Sequence, residues 1–215
     1  MAIEKCIHYI WLGSNEIPLL YKECIETWGQ YNDGWEIKFW NENNIPNDIP
    51  YVNRAIEEKK FAFASDCLRV HILKKFGGIY LDADMELIKP LDELMHSDAF
   101  LGYEREGRVS CGIMAFSKDH ILMSQMCDYY NNNVGKYVAI PRVITSIIEK
   151  GSFKNIEIYS PHYFYPYNPF VEGTCSQLLY KNITSETYAI HHWGNSWEIN
   201  FFDKVKNKCI KFLRG

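Results

Sequence analysis

Gly77-Gly78-Ile79-Tyr80-Leu81-Asp82-Ala83-Asp84 is the stretch on which the fold turns. Two glycines end whatever precedes them, a short apolar run follows, and two carboxylates come at i and i+2. Ile79–Leu81 reads as a buried strand, and Met85–Ile88 as its continuation past the aspartates. Side chains at i and i+2 of an extended backbone share a face. Placed at a strand's carboxyl end, Asp82 and Asp84 therefore converge on one hard divalent cation. Such a cation holds a diphosphate and offsets the charge that develops as it leaves. An isolated Asp-x-Asp also marks an ordinary Asp-rich turn, but the apolar strand in front puts this pair at an edge of the core.

The segment upstream of the glycines is a helix over Ala62–Phe76, stopped by Gly77-Gly78. At about 100° per residue, Ala62, Phe63, Val70 and Leu73 lie close to Asp66, while Ile72 and Phe76 flank Arg69. Asp66 and Arg69 thus sit on the apolar face. An ion pair there is costly to desolvate and needs partners, either as a structural i,i+3 pair or as part of a site. A third cluster is His191-His192-Trp193 followed by Asn195-Ser196-Trp197. Neighbours on a strand point to opposite faces, so at most one imidazole faces a given site. An imidazole that joins two carboxylates suits Mn²⁺ somewhat better than Mg²⁺, whereas a core histidine needs only a hydrogen-bond partner. Trp11, at the end of the first strand, is placed either to stack on a nucleobase or to pack as core.

Further out, strand and helix signals alternate. Strands are expected at Cys6–Trp11, Trp35–Trp40, Ala99–Tyr103, Gly112–Phe116 and Tyr188–Trp193. Helices are expected from Leu19 to about Gln30, at Asp119–Tyr130, at Pro141–Lys150 and at Phe201–Leu213. Asn41–Pro50 reads as an irregular loop, and Ile156–Phe170 as a strand followed by an aromatic loop. The alternation predicts an α/β sheet with its site at the carboxyl ends of strands, in a single domain over residues 1–215. The composition agrees: 47% hydrophobic residues support a sizeable core, and 23 Lys+Arg against 27 Asp+Glu argue against a nucleic-acid partner. The 7 cysteines form no Cys-x-x-Cys pair, which predicts free thiols and a reducing, cytoplasmic setting. The N-terminus reads as a first strand rather than a signal peptide, and no apolar stretch of about 18 residues occurs. Residues 201–215 carry five basic residues against Asp203 on an amphipathic pattern. Such a helix docks its apolar stripe on the domain or lies on an anionic membrane surface as a peripheral contact.

These motifs resemble the DXD sugar-transferase family of glycosyltransferases. That family includes capsular-polysaccharide enzymes and yeast initiating mannosyltransferases, and the chain is also similar to the glucosyltransferase domain of large clostridial cytotoxins. The resemblance rests on Ile7-His8-Tyr9-Ile10-Trp11-Leu12-Gly13, on Ala62-Phe63-Ala64-Ser65-Asp66-Cys67-Leu68-Arg69, on the stretch from Gly77 to Asp84, and on His191-His192-Trp193 with Ser196-Trp197. It implies a GT-A-type nucleotide-sugar-binding fold with a central mixed, mostly parallel sheet flanked by helices. It further implies a nucleotide-sugar donor linked to UDP, Mn²⁺ or Mg²⁺, retention of anomeric configuration, and a glycan, lipid-linked saccharide or protein acceptor. By position, Trp11 would stack on the base, and Ser65 and Tyr80 would hold the nucleoside. Asp66 and Arg69 would grip the donor sugar, and Asp82 would touch ribose or sugar beside the metal. Asp84 would bind the metal, His191 would close its shell, and Ser196 and Trp197 would hold the diphosphate.

Two other classes compete. A phosphatase or phosphotransferase of the haloacid-dehalogenase type also carries Asp-x-Asp after an apolar strand, but near the N-terminus, whereas about 80 residues precede it here. A non-catalytic carbohydrate-binding module would leave Asp66 and Arg69 on a core-facing helix unexplained. No Gly-x-Ser-x-Gly, His-Glu-x-x-His, P-loop or Gly-x-Gly-x-x-Gly occurs.

Overall fold

The computed structural model describes residues 2–13 and 15–194. Ser196, Trp197 and the helix expected over 201–215 lie outside the described residues.

The chain enters through β1 (Cys6–Ile10) and α1 (Leu19–Tyr31), which begins directly after Pro18. Proline suits a helix start because the first amides have no partner there, and α1 buries Tyr21, Cys24 and Trp28 along one stripe. β2 (Glu36–Trp40) then pairs parallel to β1, and α2 (Pro50–Glu57) leads into α3 (Phe61–Phe76). β3 (Gly78–Leu81) pairs parallel to β1. After β4 (Met85–Leu87), the hairpin of β5 (Ala99–Arg105) and β6 (Arg108–Phe116) joins β3 antiparallel through β6. α4 (Ile121–Asn131) and α5 (Ile140–Lys150) precede β7 (Ile156–Tyr159), which is parallel to β5. β8 (Ala189–His191) comes last among the described residues. The six-stranded sheet runs β2-β1-β3-β6-β5-β7 and is mixed, mostly parallel, as expected.

Both faces of this sheet are covered, and the two-residue period of β3 shows how. Ile79 and Leu81 join Ile7, Trp28, Ile113 and Phe164 on the α1 side. Tyr80 joins Leu68, Leu73, Met114 and Ile144 under α3, α4 and α5. The carboxyl ends of β1 and β3 thus deliver Trp11 and Asp82 to the same edge.

One expected element is corrected. Met85–Ile88 does not continue β3: β4 forms a separate two-stranded sheet with β8, in which Met85 opposes His191. The Met85 N–H donates to the Asp82 carbonyl at 3.0 Å, closing a turn over Asp82-Ala83-Asp84. The aspartates converge because the chain turns, and not because the strand stays extended. The helix α2 was not anticipated either.

Gly77 and Gly78 both have left-handed backbones, at φ +67° and +92°. A Cβ on Gly78 would sit 2.5 Å from the Cys6 carbonyl oxygen of β1, and one on Gly77 would sit 2.8 Å from the Lys118 nitrogen. Buried His8 completes the packing, with Nε2 3.1 Å from the Gly77 carbonyl oxygen. Gly78→Ala is therefore expected to cost about 3 kcal/mol or more, combining positive-φ strain with a backbone clash. Gly173→Ala, at φ +81° with open space around it, isolates the strain and should cost only about 1 kcal/mol. Urea unfolding of both variants checks this; equal midpoints would contradict it.

Candidate active site

Arg69 lies at the centre of the edge beyond β3. α3 presents it inward, and its guanidinium lies 4.2 Å over the Tyr80 ring. Nη2 lies 3.2 Å from Asp66 Oδ1, Nη1 lies 3.1 Å from Asp82 Oδ1, and Nη1 also donates to the Cys111 carbonyl at 2.8 Å. The planar fork thus serves three acceptors from three elements, which an ammonium group would not match. Burial opposes the charge, yet Asp82 and Asp66 hold Arg69 protonated, with its pKa raised. Asp66 is equally enclosed: its Oδ2 accepts the Ile140 N–H at 3.1 Å, so it caps α5 while its other oxygen holds Arg69. Burial pushes the Asp66 carboxyl up to about 6, against the opposing pull of Arg69 and of the Ile140 N–H. Asp66 and Arg69 are 2% and 6% exposed, which bears out their place on the apolar face.

The two aspartates have different surroundings. Asp82 shares Oδ1 between Arg69 and the Tyr80 hydroxyl, which donates at 2.8 Å, and its side chain stays 29% exposed. Asp84 is buried; Oδ1 lies 3.2 Å from His191 Nε2, and Oδ2 accepts the Gly194 N–H at 2.7 Å. Burial works against the Asp84 charge, but His191 and the two hydrogen bonds outweigh it and hold the carboxyl below its usual range. His191 is correspondingly raised, since the Asp84 carboxylate overcomes the desolvation of the ring. The neighbouring His192 turns the other way and pairs with Glu86 at 2.7 Å, as alternation on a strand requires.

Asp82, Asp84 and His191 bring ligand atoms within 4.8 Å of one another. Residues 18–101, which include the Asp82–Asp84 pair and Arg69, match the family described as "Glycosyltransferase sugar-binding region containing DXD motif". Over this region the chain is similar to the DXD glycosyltransferases. Inositol phosphoceramide mannosyltransferase 3 of Schizosaccharomyces pombe is 31% identical over 134 residues, covering 58% of this chain and 36% of that protein. Lactosylceramide 4-alpha-galactosyltransferase of Pan troglodytes is 28% identical over 170 residues, covering 70% of this chain and 47% of that protein. The chain thus spans about a third to a half of the length of these curated relatives. The solved structure of PaToxG glycosyltransferase superposes with a TM-score of 0.56 at 21% identity, covering 67% of each chain, and shows the fold. That fold is GT-A.

At this site the donor set fits a divalent cation. Two carboxylates and an imidazole converge, two aspartates face one guanidinium, and His191 Nδ1 is buried with no hydrogen-bond partner. The resemblance also drew on Trp11, Ser65 and Tyr80. Trp11 is half-buried, donates from Nε1 to the Asn15 carbonyl at 2.8 Å, and meets Tyr21 edge-to-face at 5.7 Å. Ser65 Oγ lies 3.3 Å from Arg69 Nη2, and Tyr80 is fully buried beneath the same guanidinium. Several neighbours were not singled out from sequence. Tyr21 packs against Gly194, where no side chain fits, and so spans the gap from Trp11 to Asp84. Burial, followed by the charges of Asp84 and Asp82, pushes its hydroxyl up to about 12. Gly112 leaves the space into which the Tyr165 hydroxyl and Asp82 Oδ2 fit, at 3.1 and 3.3 Å from where its Cβ would be. Trp193, which the sequence did mark as part of the His191-His192-Trp193 cluster, stands at φ +52°, its ring centroid 4.4 Å from that of His191. Positive φ on a bulky residue stores strain of a kind that gathers at functional sites.

Proposed function

We propose that this chain transfers a sugar from a UDP-linked donor to a saccharide acceptor with retention of configuration, using Mn²⁺ held by Asp82, Asp84 and His191. The observation that carries the reading is the convergence of those three side chains on the carboxyl edge of β3, backed by Arg69. When bound, the ion would offset the charge of the donor diphosphate. The remaining roles belong to the protein. Trp11 stacks on the uracil. Arg69 and the Tyr80 hydroxyl fix Asp82 Oδ1, which directs Oδ2 toward the donor. Asp66 acts through Arg69, whose orientation it sets. Ser196 and Trp197 are assigned the diphosphate, where an O–H and an indole N–H meet charge that grows as the glycosidic C–O bond breaks. The acceptor hydroxyl proton passes to the departing phosphate oxygen, so no separate base is assigned.

The names of two relatives, inositol phosphoceramide mannosyltransferase 3 and lactosylceramide 4-alpha-galactosyltransferase, support a lipid-linked acceptor. A lipid-linked saccharide is the acceptor proposed here. Contact with a lipid acceptor at the cytoplasmic membrane face is assigned to the basic segment 201–215, where five Lys/Arg residues stand against Asp203.

Calorimetric titration with UDP tests the donor side. UDP should bind in Mn²⁺ and lose most of its affinity in EDTA. Trp11→Ala should weaken binding by about 1–3 kcal/mol if the ring stacks on the base. Full affinity in this variant, together with a lowered melting temperature, would make Trp11 a packing residue and remove it from the site.

A further inference from the structure

Beside Trp193 lies a cavity of about 210 Å³, lined by Glu104, Arg105, Arg108, Asn168 and Phe170 among others. Arg105 and Arg108 also line a second groove of about 560 Å³, which runs over the β5–β6 turn to Arg142, Thr145 and Glu149 on α5. We infer that these two spaces form one extended acceptor cleft for a neutral oligosaccharide, with its terminal ring on Phe170 and Trp193 and its preceding rings along α5. The inference deepens the proposed function and rests on it.

Three observations converge. The first is position: the Trp193 ring lies 4.4 Å from that of His191 and also lines the smaller cavity, so a ring seated there adjoins the proposed reaction centre. The second is the aromatic platform. Phe170 is 67% exposed and meets Trp193 edge-to-face at 5.8 Å, while the Trp193 Nε1 donates to the Tyr167 carbonyl at 2.8 Å and fixes the indole. An apolar ring face left in water beside a fixed indole suits the C–H face of a pyranose. The third is charge. Arg105, Arg108 and Arg142 are matched by Glu104, Glu106 and Glu149, and Arg108 Nε is already paired with Glu104 at 2.7 Å. A site for a phosphate or sulfate would show surplus cation. Balanced guanidinium and carboxylate groups, with Asn168 beside them, offer both donors and acceptors to hydroxyls. Thr145 adds a buried Oγ1 without a partner along the larger groove. Size is consistent with a ligand of several rings. The smaller cavity falls below the usual range for a drug-sized ligand and the larger falls within it, so the cleft takes more than one ring.

The test uses the full chain with Mn²⁺, the UDP-sugar that it hydrolyses fastest, and neutral di- and tetrasaccharides of gluco, galacto and manno configuration. Nucleotide release should rise above hydrolysis with at least one tetrasaccharide. Phe170→Ala should raise the KM for both lengths about tenfold, while Arg142→Gln should raise it only for the tetrasaccharide; donor KM should stay within twofold in both variants. Saturation-transfer NMR of the same tetrasaccharide, without donor, should lose its signal in Phe170→Ala. The inference falls if neither variant moves an acceptor KM, if a sulfated saccharide is preferred over its neutral counterpart, or if no saccharide accelerates release while hydrolysis proceeds. An absence of all donor hydrolysis would instead overturn the proposed function beneath it.

Discussion

Asp84→Asn is expected to leave a folded protein that releases nucleotide at least about 100-fold more slowly than the parent, the scale seen when one preorganised electrostatic contact is lost. The amide keeps the shape of the side chain and can still accept the Gly194 N–H. It discards the charge that faces His191 at 3.2 Å and that any cation at this site would require. Because Asp84 is buried and not at an open surface edge, a melting curve belongs with the rate measurement to separate folding from chemistry. Glu86→Gln supplies the control. It removes a carboxylate 2.7 Å from the adjacent His192, on the other side of the strand, and should retain the parental rate. Equal losses in the two variants would show that general charge, and not the Asp82–Asp84–His191 convergence, governs the reaction.

The second large effect concerns Arg69. Arg69→Met strands Asp66 and Asp82 without their cation and leaves the Cys111 carbonyl unsatisfied. Breaking a buried network in this way costs about 3–5 kcal/mol. Arg69→Lys should recover little, because an ammonium cannot reach Asp66, Asp82 and Cys111 at once. The double variant Asp66→Leu/Arg69→Met removes one stranded charge and should be more stable than Arg69→Met alone, yet still fail to turn over. Urea midpoints and nucleotide release, measured on the same samples, check both statements. Turnover in the double variant would make the pair a structural one.

Much of this was legible in the chain before its folding was seen, for reasons that are local. Gly77-Gly78 announces a helix stop because only glycine takes the backbone found there, and the helical repeat places Asp66 and Arg69 inward by angle alone. The order of the sheet was not legible, since it depends on which strands pair at a distance. Met85–Leu87 looks like more of the same strand; a single hydrogen bond from Met85 to Asp82 turns it toward Ala189–His191. The helix Pro50–Glu57 did leave a signal, with Pro50 at its first turn and Tyr51, Val52 and Ala55 buried on one side, but it was masked by the polar loop before it. In the site, sequence pointed to residues with chemistry and passed over those that make room for them. Gly112, Gly194 and Tyr21 act through space filled or left free, which no motif spacing encodes. Asp66 is the converse case: the resemblance implied a grip on the donor sugar, and its two oxygens lie against Arg69 and the Ile140 amide.

The most direct measurement is nucleotide release from a panel of UDP-sugars with Mn²⁺, read together with the appearance of a new glycoside by mass spectrometry. The account predicts that at least one donor is consumed, that UDP and glycoside form in step when a saccharide is present, and that EDTA stops both. Release of inorganic phosphate in place of UDP, or no consumption of any donor by a folded protein, would contradict it.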